Sequence, residues 1–204
     1  MNQIIKNTII LFVITLVAGI CLGTVHDITL DPIAQAQEAA ATKTYQEVYP
    51  DAASFDEPQE LADAVTAAAD SISEWGFGKV TINDAKEALD ASGNQIGYLI
   101  TSTSAESYGG NVQIAVGISN EGELTGIGFL SISDTPGLGM RANTDAFKDQ
   151  FKDKNVDKFE YTKTGATADD QIDALSGATI TTNAMTNGVN AGLCAFQYEK
   201  GGNQ

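Results

Sequence analysis

The chain has 204 residues, enough for one globular domain and an appendage. Its formal charge is −16, from 27 acidic and 11 basic residues, which excludes nucleic acid as a partner and argues against adhesion to anionic headgroups. Hydrophobic residues make up 43%, a globular share, and the single histidine, His26, excludes a multi-histidine metal centre or a haem held by two histidines.

Residues 1–7 carry Lys6 and the N-terminal amine. Residues 8–25 form one apolar run broken only by threonines and glycines. Eighteen residues rise about 27 Å as a helix, close to the thickness of a hydrocarbon core. Asp27 and Asp31 follow the run. The charge asymmetry predicts a single transmembrane helix with its N-terminus in the cytoplasm and everything after it extracytoplasmic. The competing reading is a cleaved signal peptide, whose apolar region is usually shorter. Thr24-Val25-His26 lacks the small-x-small pattern, and Ala34-Gln35-Ala36 lies well beyond the run. Ile20 stands before Cys21 where a lipoprotein signal needs a small residue. Cys21 in the run and Cys194 near the far end are no disulfide framework. Cys194 reads as a small core hydrophobe and His26 as an interfacial residue.

Residues 26–78 read as a helical spacer. Within it, 33–48 is Ala/Gln/Glu-rich and Pro50 stops a helix there. Residues 58–73 place Leu61, Val65, Ala68, Ala69 and Ile72 at helical spacing. The spacer is expected to be mobile over 56–78.

From residue 79 the pattern turns β-like and opens the extracytoplasmic domain, 79–204. Strands are expected at 80–82, 85–89 and 96–101, with a turn at 91–94. Residues 112–118 alternate with period two, Ser119-Asn120-Glu121-Gly122 turns, and 124–132 returns as the partner strand. Gly117, Gly126 and Gly128 remove side chains from this hairpin, so another backbone or a ligand can come close. Asp134-Thr135-Pro136-Gly137-Leu138-Gly139 is a rigid turn rich in exposed amides. Asn143 or Thr144 is expected to cap a helix over 145–152, and 156–162 reads as a strand. A last helix should run from about Thr179 to about Tyr198. It has a stripe of Met185, Val189, Leu193 and Phe196, and a flat face of Ala184, Gly188, Ala191 and Ala195. Asn187-Gly188 is a turn signal inside it. The fold class is α+β: a twisted, mainly antiparallel sheet with packed helices, behind one N-terminal transmembrane helix.

Two segments carry candidate chemistry. Asp173-Ala174-Leu175-Ser176-Gly177-Ala178-Thr179 brings a hydroxyl behind small residues to the point where a loop becomes a helix. By local chemistry alone it is either a helix cap or a phosphate site. Thr135-Pro136-Gly137-Leu138-Gly139 is either a tight turn or a wall for a ligand. No nucleophile–base–acid constellation is apparent, so no catalytic residue and no metal ligand is expected.

Together, and in this order behind the apolar run, these pieces resemble one family over about residues 45–197. It is the membrane-anchored, covalently flavinylated protein found as the G subunit of the Rnf complex and the C subunit of the sodium-pumping NADH:quinone reductase. Further matching pieces are 48–55, 97–100, 108–112 and 122–126. The length favours the Rnf protein over its longer relative. The family more often has Glu where Asp134 stands.

The resemblance implies an electron carrier with FMN joined through its phosphate to Thr179, within an ion-translocating ferredoxin:NAD⁺ oxidoreductase. It implies other membrane subunits as partners and a separate Mg²⁺-dependent flavin transferase that uses FAD. Thr164-Gly165-Ala166-Thr167 is a decoy, because Tyr161 stands where Asp173 precedes the true motif. An unassisted threonine is a poor nucleophile, and the domain has no histidine base, which agrees with attachment by another enzyme. In this reading Ser176, Gly177 and Ala178 leave the approach open, while Thr181 and Thr182 donate hydroxyls to the phosphate. Thr135, Gly137, Leu138 and Gly139 line the isoalloxazine. Arg141 and Lys163 are possible helpers or plain surface charge. Two other readings stand beside it: the quinone reductase protein or another extracytoplasmic flavin relay, and an anchored binding domain without cofactor.

Overall fold

The computed structural model describes residues 2–72 and 75–201, side chains at 68–72 and 201 excepted. The side chains of Ala68, Ala69 and Ile72 therefore lie outside the described residues. The chain divides into two compact units, Met1–Thr42 and Lys43–Gln204.

The first unit is helical. Helix α1, Asn2–Val48, runs without a break through Pro32. A separate anchor and spacer helix were expected; a proline removes one ladder bond, and the remaining bonds of so long a helix carry on past it. An 18-residue window in α1 has mean hydropathy 2.6 and no buried residue, so the helix is long and apolar enough to cross a membrane. Its threonines are satisfied within the helix: the hydroxyls of Thr8, Thr15 and Thr24 donate to the carbonyls of Ile4, Leu11 and Ile20 at 2.8–3.1 Å. That is the arrangement a hydrocarbon surrounding requires. Ile9, Leu11, Phe12, Ile14 and Ile20 are all exposed along this stretch, an apolar surface that water alone does not support.

In the second unit, strands β1 (Ser54–Asp56), β2 (Val80–Leu89), β3 (Gln95–Ser107), β4 (Gly110–Ser119) and β5 (Leu124–Ser131) form one sheet in chain order. Every pairing in it is antiparallel. The β4–β5 hairpin lies where the period-two pattern puts it. β2 was expected as two short strands; it is one, with a register shift between Ile82 and Asp84 that displaces the alternation. The expected spacer also ends sooner than residue 78. β1 lies within it and pairs with β2, and α2 (Gln59–Ile72) buries Leu61 in the core.

Both faces of the sheet are covered. α2 and α4 (Thr179–Gly201) lie over one, where Ile100, Val112, Ile114, Val116 and Ile118 meet Met185, Val189 and Leu193. The end of α1 lies over the other, where Tyr45 and Val48 meet Leu99 and Ala115. The glycines of β4 and β5 make that second contact possible. A Cβ on Gly128 would come 2.5 Å from Thr44 Cγ2 and 2.7 Å from Val48 Cγ2, and one on Gly126 would come 3.2 Å from the Val48 carbonyl. The close backbone expected there is this helix end. Thr125 Oγ1 pins it by donating to the same carbonyl at 2.8 Å.

α4 passes straight through Asn187-Gly188. Gly188 is used for proximity: its carbonyl accepts from Ser102 Oγ at 2.9 Å, and a Cβ would meet Ile114 Cδ1 at 2.9 Å. Between β5 and α4 the chain makes a 3₁₀ turn (Gly139–Asn143), α3 (Asp145–Lys148), β6 (Glu160–Thr162) and β7 (Gln171–Asp173). α3 is shorter than the expected 145–152. Thr144 does not cap it, because its hydroxyl donates back to the Arg141 carbonyl at 2.7 Å. The expected strand over 156–162 keeps only its last three residues, which pair in parallel with the unexpected β7.

Candidate functional site

The loop after β5 is built around one carboxylate. Asp134 Oδ2 accepts from Ser107 Oγ at 2.8 Å and from Thr181 Oγ1 at 2.6 Å; Oδ1 accepts the Thr135 N–H at 2.7 Å. Desolvation is the largest single influence on this group and pushes its pKa up. The bonds from Thr181, the Thr135 N–H, Ser107 and the Gly109 N–H together outweigh it and hold the carboxyl below its ordinary value. Pro136 and Gly137 then turn the chain, with Gly137 at φ +78° and the Leu138 N–H donating to the Thr135 carbonyl at 3.1 Å. Gly139 is buried, and a Cβ there would fall on the Asp134 carboxylate.

The second loop leads from β7 into α4. Gly177 takes φ +79°, and the Ala178 N–H donates to the Leu175 carbonyl at 2.9 Å. Thr182 Oγ1 accepts the Leu175 N–H at 3.1 Å and donates to the Ala178 carbonyl at 3.0 Å. This buried hydroxyl fastens the loop to the helix. Thr179 is the first residue of α4 and is half-buried. The N–H groups of Thr179, Ile180 and Thr181 have no partner within the helix, as at any helix start.

The two loops face one another across a cleft of about 530 Å³. Asp134, Thr135, Leu138 and Gly139 form one wall; Gly177, Ala178, Thr179, Ile180 and Thr181 form the other; Tyr108 stands at the rim. Asp134 is the one charged residue among those described that line it. Exposed apolar side chains surround the opening: Tyr108 at 73%, Ile180 at 57% and Leu138 at 43%.

Thus seven of the expected site residues meet in one place: Thr135, Leu138, Gly139, Gly177, Ala178, Thr179 and Thr181. Others stand elsewhere. Ser176 and Gly137 are exposed neighbours outside the lining. Thr182 points into the protein and is spent on the loop, so it offers no hydroxyl to a phosphate. The Thr181 proton is committed to Asp134. Asp173 is exposed and takes the Ala166 N–H at 2.7 Å, holding the decoy loop beside it. Neither Arg141 nor Lys163 lines the cleft. Sequence reasoning missed Tyr108 and Ile180 as site residues. Ile180 leaves a signal, because it sits off the buried stripe of α4 where a polar residue is the rule.

The cleft's parts suit a flavin mononucleotide. Its volume lies in the range of small-molecule sites. One end offers helix N–H groups and a hydroxyl for a phosphate, and the other offers the Gly139 backbone and apolar side chains for a flat ring.

Comparison with known proteins agrees. A family model described as FMN-binding domain matches residues 107–193, which contain both loops and Tyr108. A second, described as RnfG N-terminal region, matches residues 1–48. The G subunit of the Na(+)-translocating ferredoxin:NAD(+) oxidoreductase complex of Acetobacterium woodii is 32% identical over 95% of this chain and 92% of its own. The G subunit of the proton-translocating ferredoxin:NAD(+) oxidoreductase complex of Clostridium ljungdahlii is 28% identical over 92% and 89%. The G subunit of the ion-translocating oxidoreductase complex of Methanosarcina acetivorans is 29% identical over 98% of both.

Proposed function

The chain belongs to the RnfG family, the G subunits of ion-translocating ferredoxin:NAD(+) oxidoreductase complexes, and from that premise we propose that it is a membrane-anchored electron carrier whose FMN is joined through its phosphate to Thr179. The observation that carries this reading is the position of Thr179, the first residue of a 23-residue helix and part of the lining of the cleft it shares with the Asp134 turn. Bound FMN supplies the reversible electron chemistry, which no side chain of the cleft offers.

The chain's own residues hold and shape that group. The helix-start N–H groups at 179–181 would hold the phosphate oxygens, so an acidic protein needs no basic residue to hold an anion there. Gly177 and Ala178 keep side chains away from the ester. Leu138 would offer an apolar contact to the ring, and the Gly139 backbone would be available to its polar groups, where hydrogen bonds tune a flavin. A phosphoester to Thr179 prevents loss of the cofactor from a domain lying outside the cytoplasm. Residues 8–25 are the anchor, with residues 1–7 in the cytoplasm and the rest beyond the membrane.

The bond is made by a flavin transferase with FAD as donor. The Thr179 oxygen bonds to the phosphorus of the FMN half, AMP leaves, and the hydroxyl proton passes to a base of the transferase. No lining residue takes that proton, since the Asp134 carboxylate is turned to Ser107, Thr135 and Thr181. The other membrane subunits of the complex supply and remove electrons.

Co-expression with an active flavin transferase tests this. A denaturing gel under ultraviolet light should show a fluorescent band for the wild type and for Thr167→Val, and none for Thr179→Val. A dark wild type beside a labelled positive control contradicts the reading, and fluorescence lost only in Thr167→Val moves the bond to the decoy.

A further inference from the structure

Asp134 stands where the two walls of the cleft meet. Its carboxylate is shared among segments far apart in the sequence: the end of β3 (Ser107), the β3–β4 turn (Gly109), its own loop (Thr135) and the first turn of α4 (Thr181). The backbone is shaped to admit it. A Cβ on Gly139 would fall on the carboxylate, and a Cβ on Gly109 would fall on the Ser133 carbonyl just before it. The donors are neutral hydroxyl and amide groups. They satisfy the oxygens without cancelling the charge, so a formal negative charge remains in the wall of the cleft. Among the described residues, no Lys, Arg or His lies in that wall to neutralise it.

We propose that Asp134 is the positioning residue of this site: its carboxylate ties the turn at 135–139 to the first turn of α4, and its charge makes a flavin held between them harder to reduce. The proposal rests on the flavin reading above. Reduction adds electron density to the ring, and a fixed negative charge in a partly desolvated wall opposes that addition more strongly than it would in water. Thr181 has the complementary part. It secures the tie but carries no charge, so losing it loosens the site without relieving the repulsion.

Three variants of the full chain separate these effects. Asp134→Asn removes the charge and one of the two acceptor oxygens, so that Ser107, Thr135 and Thr181 can no longer all be satisfied. Asp134→Glu keeps the charge on a longer stem. Thr181→Val removes one tie and keeps the charge. In flavin-loaded protein, Asp134→Asn should favour the reduced form at least tenfold, a rise of about 30 mV in a two-electron midpoint potential. Asp134→Glu and Thr181→Val should stay within that margin of the wild type. In flavin-free protein, amide exchange at 135–139 and 179–181 should quicken at least tenfold in both Asp134→Asn and Thr181→Val. An unchanged potential in Asp134→Asn overturns the electrostatic half, as does an equal rise in Thr181→Val, which would make looseness the cause. Unchanged exchange in both variants overturns the positioning half. A wild type that accepts no flavin refutes the flavin reading and the electrostatic half with it, while the exchange result still decides the positioning role.

Discussion

Asn190→Ala should be among the most damaging single substitutions in the chain. Asn190 is 2% exposed, in the middle of α4, and makes a paired contact with one backbone residue. Its Oδ1 accepts the Phe159 N–H at 2.8 Å, and its Nδ2 donates to the Phe159 carbonyl at 3.0 Å. Phe159 is itself buried, with its ring edge-on to Phe151 at 5.0 Å between centroids. The lost amide leaves both Phe159 backbone groups without their partner in a buried setting. Each peptide group left unpaired costs about 1–3 kcal/mol, so two cost about 2–6 kcal/mol. Alanine returns roughly 0.5 kcal/mol of helix propensity. The net loss of about 2–5 kcal/mol lowers the melting temperature by about 5–20 °C in a protein of this size. The effect reaches the site, because Phe159 leads into β6, β6 pairs with β7, and β7 ends at Asp173. The assay is thermal unfolding of the full chain in detergent, with Asn190→Asp alongside. The new carboxylate accepts the Phe159 N–H but repels the Phe159 carbonyl, which raises its pKa in the folded state. Its penalty should therefore be largest at neutral pH and shrink as acid restores a donor. Melting within about 2 °C of wild type for Asn190→Ala, or an Asn190→Asp penalty that ignores pH, would contradict the importance given to this pair of bonds.

The end of α1 can be pried from the sheet at Gly128. Gly128→Val meets Thr44 and Val48, and overpacking of this kind costs about 1–3 kcal/mol, read as an earlier melt and faster amide exchange at 43–48. Two carboxylates give the stability profile opposite slopes in acid. Asp134, held below its ordinary value, contributes stability that is present above pH 3.8 and lost as pH falls through its folded value. Asp134→Asn should flatten that decline, and an unchanged acid limb would count against the network. Asp84 is raised, chiefly by desolvation and further by Glu57, against the opposing pull of Lys86 and Thr101. Stability linked to it is present below pH 3.8 and lost as pH rises through its folded value, so Asp84→Asn should remove that loss. A variant that is less stable than wild type at pH 7 would show that the Lys86 contact outweighs desolvation.

The parts of the fold legible in the sequence are those whose signal is periodic and local. Residues 112–132 alternate and turn at Gly122, and α4 carries a stripe long enough to outweigh Asn187-Gly188. The glycines of β4 and β5 announced a close approach, though not that the end of α1 would make it. What escaped is tertiary. β1 and β7 are three residues each, too short to show a period, and exist because a neighbour pairs with them, while β6 is the last part of the strand expected over 156–162. At the cleft, Thr179, Leu138 and the glycines could be chosen by residue type. Thr181 and Thr182 could not be judged that way, because a threonine in a motif looks equally able to serve a ligand or the protein. Here Thr182 closes its own loop and Thr181 serves Asp134, a partner 47 residues away. Asp134 read as a turn residue with a charge; only the folded chain brings four donors to it.

The proposed bond lies at one oxygen, and peptide mapping of flavin-loaded protein locates it. Trypsin leaves Thr167 and Thr179 on one fragment, since no Lys or Arg lies between Lys163 and Lys200. Cleavage before Asp173 separates them. The fragment beginning at Asp173 should carry the mass of one FMN less one water, and fragmentation should place it on Thr179. The same mass on the fragment containing Thr167, or on neither, would contradict a bond at Thr179.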